Sequence, residues 1–275
     1  MARNIPARID QIREAAEMTE ISINGEDSGD DFSIGHKFKP IGTRLWDMLR
    51  TSEVYFASPQ DLNDPFDCQL DLAKAFKLAL ESAGRQMTDS EGRRWRAMAA
   101  DINRRARTCG VFSLSHGAIV GDQSHLFWPH YGDSHRGVCL SYCIPHSFVR
   151  AQMIGMAPVE YNTNKLFTAL NKLSFATKPP FADIEQVITA LLTTKSSAWS
   201  YEQEFRLVAA EPGLKKFQRE WLIQICFGLR VPDGVKQTAV TSLRKWGYDD
   251  CTFAEVYVPE TGLLDLAIRE IEVAV

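Results

Sequence analysis

Trp199-Ser200-Tyr201-Glu202-Gln203-Glu204-Phe205-Arg206-Leu207-Val208 reads as the end of a helix running directly into a β-strand. Strand side chains alternate between faces, so Glu202, Glu204 and Arg206 fall on one face and Tyr201, Gln203, Phe205 and Leu207 on the other. Two carboxylates and a guanidinium in succession on one face are costly unless that face is wet or functional. Like charges at neighbouring positions repel, and each raises the other's pKa. A solvated edge strand with an Arg206–Glu pair is the structural alternative, since charged edges also prevent aggregation.

The chain around this stretch has the composition of a globular protein. Of its 275 residues 45% are hydrophobic and 24% charged, so a large core can form and no disorder class applies. A net charge of −4 is too small to imply general attraction to nucleic acid or membranes. No apolar run approaches the ~18 residues of a membrane span, and the N-terminus lacks an apolar signal core. Cys68, Cys109, Cys139, Cys143, Cys226 and Cys251 are scattered, which suits reduced, buried thiols in a cytoplasmic protein better than a disulfide frame or a zinc site.

Upstream of the acidic stretch, residues 7–20 carry a modest helical stripe, and residues 24–31 are acidic with two glycines. Residues 1–31 therefore read as an appendage, and residues 32–275 as a single domain. A first strand, Phe32 to Lys39, stops at Pro40, and a helix capped by Thr43 runs to Arg50. Val54-Tyr55-Phe56-Ala57 reads as a strand. It leads into Ser58-Pro59-Gln60-Asp61-Leu62-Asn63-Asp64-Pro65-Phe66-Asp67, where Asn and Asp favour turns; the segment is either a structural corner or the border of a cleft. Helices over residues 70–86 and 89–108 form an apparent insert. The second, starting at Asp89, carries six arginines on its outer side, either solvated and paired with local acids or able to bind phosphate.

Gly110-Val111-Phe112-Ser113-Leu114-Ser115 reads as a central strand, with Ser113 and Ser115 on one face. A short helix closed by Gly132 places Trp128, His130 and Tyr131 within about one turn. Strands follow at 137–142 and 159–161, helices at 164–175 and 182–198, with Lys195 near a helix end where it complements the dipole. Strands at 202–209, 223–228, 252–257 and 268–273 and a helix at 233–246 complete the order. Glycine-rich nucleotide loops, His-Glu-x-x-His and Gly-x-Ser-x-Gly are absent from the sequence.

Four separated motifs carry a resemblance. Phe56-Ala57-Ser58-Pro59 with Asn63-Asp64-Pro65-Phe66-Asp67, then Phe112-Ser113-Leu114-Ser115, then Trp128 to Cys139, then Trp199 to Arg206, run in the order of the bacterial domain-of-unknown-function family 2971. Two positions depart from that family's pattern: Lys37-Phe38 lacks the usual tyrosine hydroxyl, and Pro129 stands where a serine is usual. The order of parts also resembles the ADP-ribosyltransferase fold. That resemblance implies an α+β fold with a mixed, largely antiparallel central sheet, flanking helices and the helical insert at about 70–108.

The same resemblance implies a chemistry. Cleaving the nicotinamide–ribose bond of NAD builds positive charge on the ribose, which a nearby carboxylate stabilises. Glu204 would take that role and Glu202 would accept a proton from the attacking group. His36 or Lys37 would hold a ribose hydroxyl or phosphate, and Ser113, Ser115, Asn63 and Asp64 would border the cofactor. Trp128 or Tyr131, beside His130, would stack on the nicotinamide, and Arg206 would pair with a pyrophosphate or neutralise Glu204. The implied protein is a toxin or phage-defence effector with a protein or nucleic-acid acceptor, an antitoxin partner, and no metal or membrane requirement. Two other readings stay open: a metal-dependent nuclease or phosphodiesterase using Asp64, Asp67, Glu202 and Glu204, and a non-catalytic binding or sensing module.

Overall fold

Residues 32–117, 119–121, 124–152, 155–174 and 179–271 are described by the computed structural model. The helix expected at 7–20 and the acidic loop at 24–31 lie outside them, as do Phe175 and residues 272–273 of the expected elements there.

The described strands are β1 (Phe32–Lys39), β2 (Glu53–Phe56), β3 (Gly110–Ser115), β4 (Val138–Pro145), β5 (Gly155–Pro158), β6 (Glu204–Ala209), β7 (Gly213–Lys216), β8 (Leu222–Phe227), β9 (Thr252–Tyr257) and β10 (Ala267–Glu270). Eight of them belong to a mostly antiparallel sheet, which with the helices places the fold in the α+β class. The chain divides into two compact units. One is Met1–Glu53, Ser115–Phe148 and Lys216–Val275; the other is Val54–Leu114 and Val149–Lys215.

In the first unit β4 is the central strand. Seven of its eight residues are buried, the continuous apolar run of a strand covered on both faces. It pairs antiparallel with β1 along the whole strand, Phe32 opposite Pro145 through Lys39 opposite Val138, and with β8 on its other side. The β8–β9 pair is parallel, which requires a crossover; helix Asp233–Lys245 supplies it. β10 adds antiparallel to β9.

The second unit is built on helices. Leu72–Ser82, Asp89–Thr108, Asn164–Ser174 and Phe181–Leu192 share one apolar core that includes Phe76, Trp95, Ile102, Leu170, Leu173, Leu191 and Leu192. Each such side chain, fully buried, contributes about 1.5–3 kcal/mol. The arginine-rich helix turns its charges outward, and Arg104 and Arg105 both bridge Asp101, the solvated and locally paired arrangement. Its cap is Thr88 rather than Asp89: Thr88 and Glu91 form a capping box, which satisfies two free N–H groups reciprocally.

Three expected elements move. The helix expected over 182–198 stops at Leu192, and a 3₁₀ turn, Ser197–Glu202, follows it. The strand expected at 202–209 starts at Glu204, because Gln203 adopts a left-handed backbone with φ of 43°. The strand expected at 159–161 reduces to a bridge between Glu160 and Thr194, and the hydrogen-bonded strand is β5 just before it, paired antiparallel with β6.

Candidate functional site

The charged stretch Trp199–Val208 folds into a buried network inside the second unit. β6 carries Glu204 and Arg206 on one face, two residues apart as the strand period requires. Glu202 does not share that face, since it closes the 3₁₀ turn; the left-handed Gln203 swings it round to the same partner. That partner is Lys195, whose ammonium donates to Glu204 Oε2 at 3.0 Å and to Glu202 Oε2. Asp67 Oδ2 lies 3.6 Å from the same nitrogen.

Arg206 is enclosed completely. Its Nε donates to Glu204 Oε1 at 2.7 Å, while Nη1 and Nη2 reach the two oxygens of Asp67 at 2.8 and 2.7 Å. Nη1 also donates to the Leu192 carbonyl at 2.7 Å. The fork of a guanidinium matches a carboxylate bidentately, so this geometry holds the strand to the 58–67 corner. Ser113 adds a hydrogen bond to Glu204. The Tyr161 hydroxyl accepts from the Glu204 backbone N–H at 2.7 Å.

The network closes under an indole. Trp199 donates from Nε1 to Asp64 Oδ2 at 2.7 Å, and its ring centroid lies 5.2 Å from the Lys195 ammonium. Asp64 Oδ1 meanwhile accepts from Phe66 N–H at 2.9 Å, the self-bonded turn expected of this corner. The side chains of Lys195, Glu202 and Glu204 are 6%, 7% and 6% exposed and that of Arg206 is 1% exposed.

Three carboxylates face two cations, a local charge of −1. Burial alone would raise the Glu204 carboxyl. Arg206, Lys195 and Ser113 together outweigh that and hold the group down at about 2. Burial likewise opposes charge on Lys195, and Glu204 and Glu202 more than offset it, so the ammonium is held protonated. Burial pushes the neighbouring Cys68 thiol up, which keeps it inert.

The remaining sequence-predicted residues fall as follows. Asn63 is exposed on the corner of the second unit, beside Asp64. His36, Lys37, Ser115, Trp128, His130 and Tyr131 belong to the first unit. His36 Nδ1 meets Ser141 Oγ at 3.0 Å, and burial followed by His116 lowers its pKa to about 4. Lys37 is half-buried on β1. Ser115 accepts from Gly117 N–H at 2.9 Å and so caps a turn. His130 is exposed and Tyr131 half-buried at the end of helix Ser124–Tyr131.

Two expected ligand contacts are corrected. Trp128 cannot stack on a nicotinamide: it is fully buried, its Nε1 donates to the Ile119 carbonyl at 3.0 Å, and Phe38 packs edge-on against its ring. Arg206 cannot reach a pyrophosphate, because its donors are spent on Asp67, Glu204 and Leu192. Of its two sequence readings, neutralising Glu204 is the one the geometry supports. The four acids of the nuclease reading do not form a metal cage either. Asp67, Glu202 and Glu204 gather on an ammonium and Asp64 on an indole, and among the described residues no group of three or more His, Cys, Asp or Glu has metal-holding geometry.

Lys195 is the residue that sequence reasoning missed. It was assigned only to a helix dipole, although a surplus of carboxylates over Arg206 called for a second cation nearby.

The stretch from Lys195 to Arg206 thus supplies most of the second unit's charged centre. The family model DUF2971, described as a protein of unknown function, matches residues 127–207. That region spans the Trp128-to-Cys139 and Trp199-to-Arg206 motifs and includes Lys195, Glu202, Glu204 and Arg206, while Asp67 lies outside it. No curated protein and no solved structure matches the chain. No helix among the described residues is long and apolar enough to cross a membrane.

Proposed function

We propose that the chain cleaves the nicotinamide–ribose bond of NAD, in the manner of an ADP-ribosyltransferase or NAD glycohydrolase acting in a bacterial cytoplasm. The observation that carries this reading is the pair of carboxylates, Glu202 and Glu204, gathered on one cation, with Glu204 held ionised. A carboxylate with a pKa near 2 stays anionic throughout the physiological range. That is the property needed opposite a ribosyl carbon that turns positive as its bond to nitrogen breaks. The electron pair leaves with nicotinamide, and the attacking hydroxyl, guanidine or water forms the new bond to that carbon. Glu202 takes the proton the attacker loses.

Lys195 occupies the place this reading gives to the ribosyl cation, so the reading requires the ammonium to move aside when substrate binds. The fit is partial: Glu202 and Glu204 suit the reaction, while Arg206 and Trp128 hold the fold. A toxin or phage-defence effector with a protein or nucleic-acid acceptor and an antitoxin partner is the cellular role in keeping with this chemistry.

The test is nicotinamide release from NAD by the full chain, with and without cell extract as acceptor. Release by the wild-type protein is expected, falling about a hundredfold or more in Glu204→Gln and in Glu202→Gln. The second variant leaves the Arg206–Asp67 pairing untouched and so covers the case in which the first misfolds. No release by the wild type, or release by both variants equal to that of the wild type, rejects the proposal.

A second reading has its own observation. Arg206 is 1% exposed and bonded on every side, the description of a structural ion-pair core in a non-catalytic module. Under that reading the same variants lose stability and no activity exists to lose.

A further inference from the structure

After helix Ser124–Tyr131 the chain makes an unusual turn, wholly within the first unit. Asp133, Ser134 and His135 have φ of 50°, 52° and 69°. Left-handed backbone costs an L-residue roughly 1–2 kcal/mol and normally occurs one residue at a time. Three in succession persist only where the surroundings over-determine them, a condition that clusters at ligand clamps.

The surroundings here are specific. Arg136 N–H donates to the Asp133 carbonyl at 3.0 Å, Gly137 N–H to Gly132 at 2.8 Å, and Arg230 N–H to His135 at 2.9 Å. A Cβ at Gly228 would lie 2.4 Å from the His135 carbonyl oxygen, and one at Gly137 would lie 2.3 Å from the Lys39 carbonyl oxygen. Neither position accepts a side chain without moving backbone, so both glycines are required for the turn to form.

This turn fixes the His135 ring against Trp128, with centroids 5.9 Å apart and planes 15° from parallel. The ring's Nδ1 is buried and has no hydrogen-bond partner. A neutral imidazole carries one N–H, and we assign it to Nε2, the tautomer that leaves no buried N–H without an acceptor. Burial, then the charges of Arg230 and His125, lowers the pKa of the ring, so at neutral pH it is a neutral donor. Arg136, Arg230 and Ser134 are exposed, Arg230 close enough for its charge to act on the ring, and the turn's own carboxylate, Asp133, is exposed as well.

The imidazole N–H and the Ser134 hydroxyl of the strained turn, with the guanidinium of Arg230, whose backbone N–H is bonded to His135, make a set of donors. The planar fork of arginine matches the tetrahedral oxygens of phosphate bidentately. We propose that the left-handed turn Asp133–His135, together with Arg230, is a binding site for a phosphoryl group. It is read from the first unit alone and does not rest on the glycosidic-bond reading above. Phosphate binding without nicotinamide release would keep this proposal and remove the other.

The experiment follows the histidine ring signals of the full chain by NMR during titration with inorganic phosphate, adenosine monophosphate and adenosine. The His135 signal is assigned by its loss in His135→Phe, which keeps a ring on Trp128 and removes the donor. Saturable binding of phosphate or the monophosphate is expected, with none for adenosine. Calorimetry should show about tenfold weaker binding in Arg230→Gln and in His135→Phe. Comparable binding of the two anions makes free phosphate sufficient, and binding of the monophosphate alone assigns a nucleotide; either supports the site. Absence of saturable binding by both anions, or unchanged affinity in both variants, overturns it.

Discussion

Two charged regions of this chain are built on opposite terms. Asp67, Lys195, Glu202, Glu204 and Arg206 are buried, and each ionised group meets its opposite within hydrogen-bonding or ion-pair distance. Arg136 and Arg230 lie exposed, in the region of a histidine whose buried ring nitrogen has no partner. The difference is one of energy. A buried ion costs several kcal/mol in desolvation unless its partners are in place, so the first region tolerates no missing member. A solvated cation costs almost nothing to leave unpaired, so the second can hold its donors open for a ligand.

The largest expected effect comes from breaking the closed region. Arg206→Met leaves Asp67 and Glu204 buried without their guanidinium and should destabilise the chain by about 3–5 kcal/mol in urea unfolding. A loss below about 1 kcal/mol would mean that the carboxylates find water, and that the region is open after all.

Acid should act on the same region with a defined sign. Glu204 sits at about 2 when folded, against an ordinary 4.5. Its pKa is depressed by folding, so its contribution is present above pH 4.5 and is lost as pH falls toward 2. A shift of this size is worth about 3 kcal/mol, and Glu204→Gln should flatten that part of the stability–pH curve. His36, lowered by a similar amount from 6.5 to about 4, adds a loss of the same sign between pH 6.5 and 4. A wild-type curve that is level from pH 6 to 3 contradicts both.

Smaller again is Trp199→Phe. The ring stays above Lys195 while the hydrogen bond to Asp64 goes, which should cost about 1–2 kcal/mol because the acceptor is charged. Arg230→Gln marks the other end of the comparison. On an exposed surface it should change stability by less than about 0.5 kcal/mol, and a larger change would make Arg230 a structural residue.

How much of this was legible in the sequence depended on local signal. The helix Asp89–Thr108 and the strands Gly110–Ser115 and Thr252–Tyr257 were placed at their observed ends, because apolar spacing, a polar cap region and β-branched or aromatic runs agree there. β5 was missed: Gly155-Met156-Ala157-Pro158 has neither β-branched nor aromatic residues and contains a proline, so nothing local marks it as a strand. Its pairing with β6 comes from tertiary context.

The candidate site divides in the same way. Glu204 and Arg206 were found because period-two alternation puts them on one face. Their partners were not, since Asp67 stands 139 residues from Arg206 and no spacing rule links them. The reading of Glu202 as a strand residue failed at Gln203, a single left-handed residue that a sequence does not announce unless it is glycine or asparagine. The triple left-handed turn was invisible for the same reason: only its flanking glycines, Gly132 and Gly137, mark it.

The account turns on Glu204 being an anion held in place by Arg206 and Lys195. Carboxyl-carbon NMR of the full chain, following the Glu204 side chain from pH 6 downward, measures this directly. A signal that stays ionised below pH 3 and titrates toward 2, or unfolds first, is the predicted result. A reversible midpoint near the ordinary 4.5 in the folded protein would contradict it.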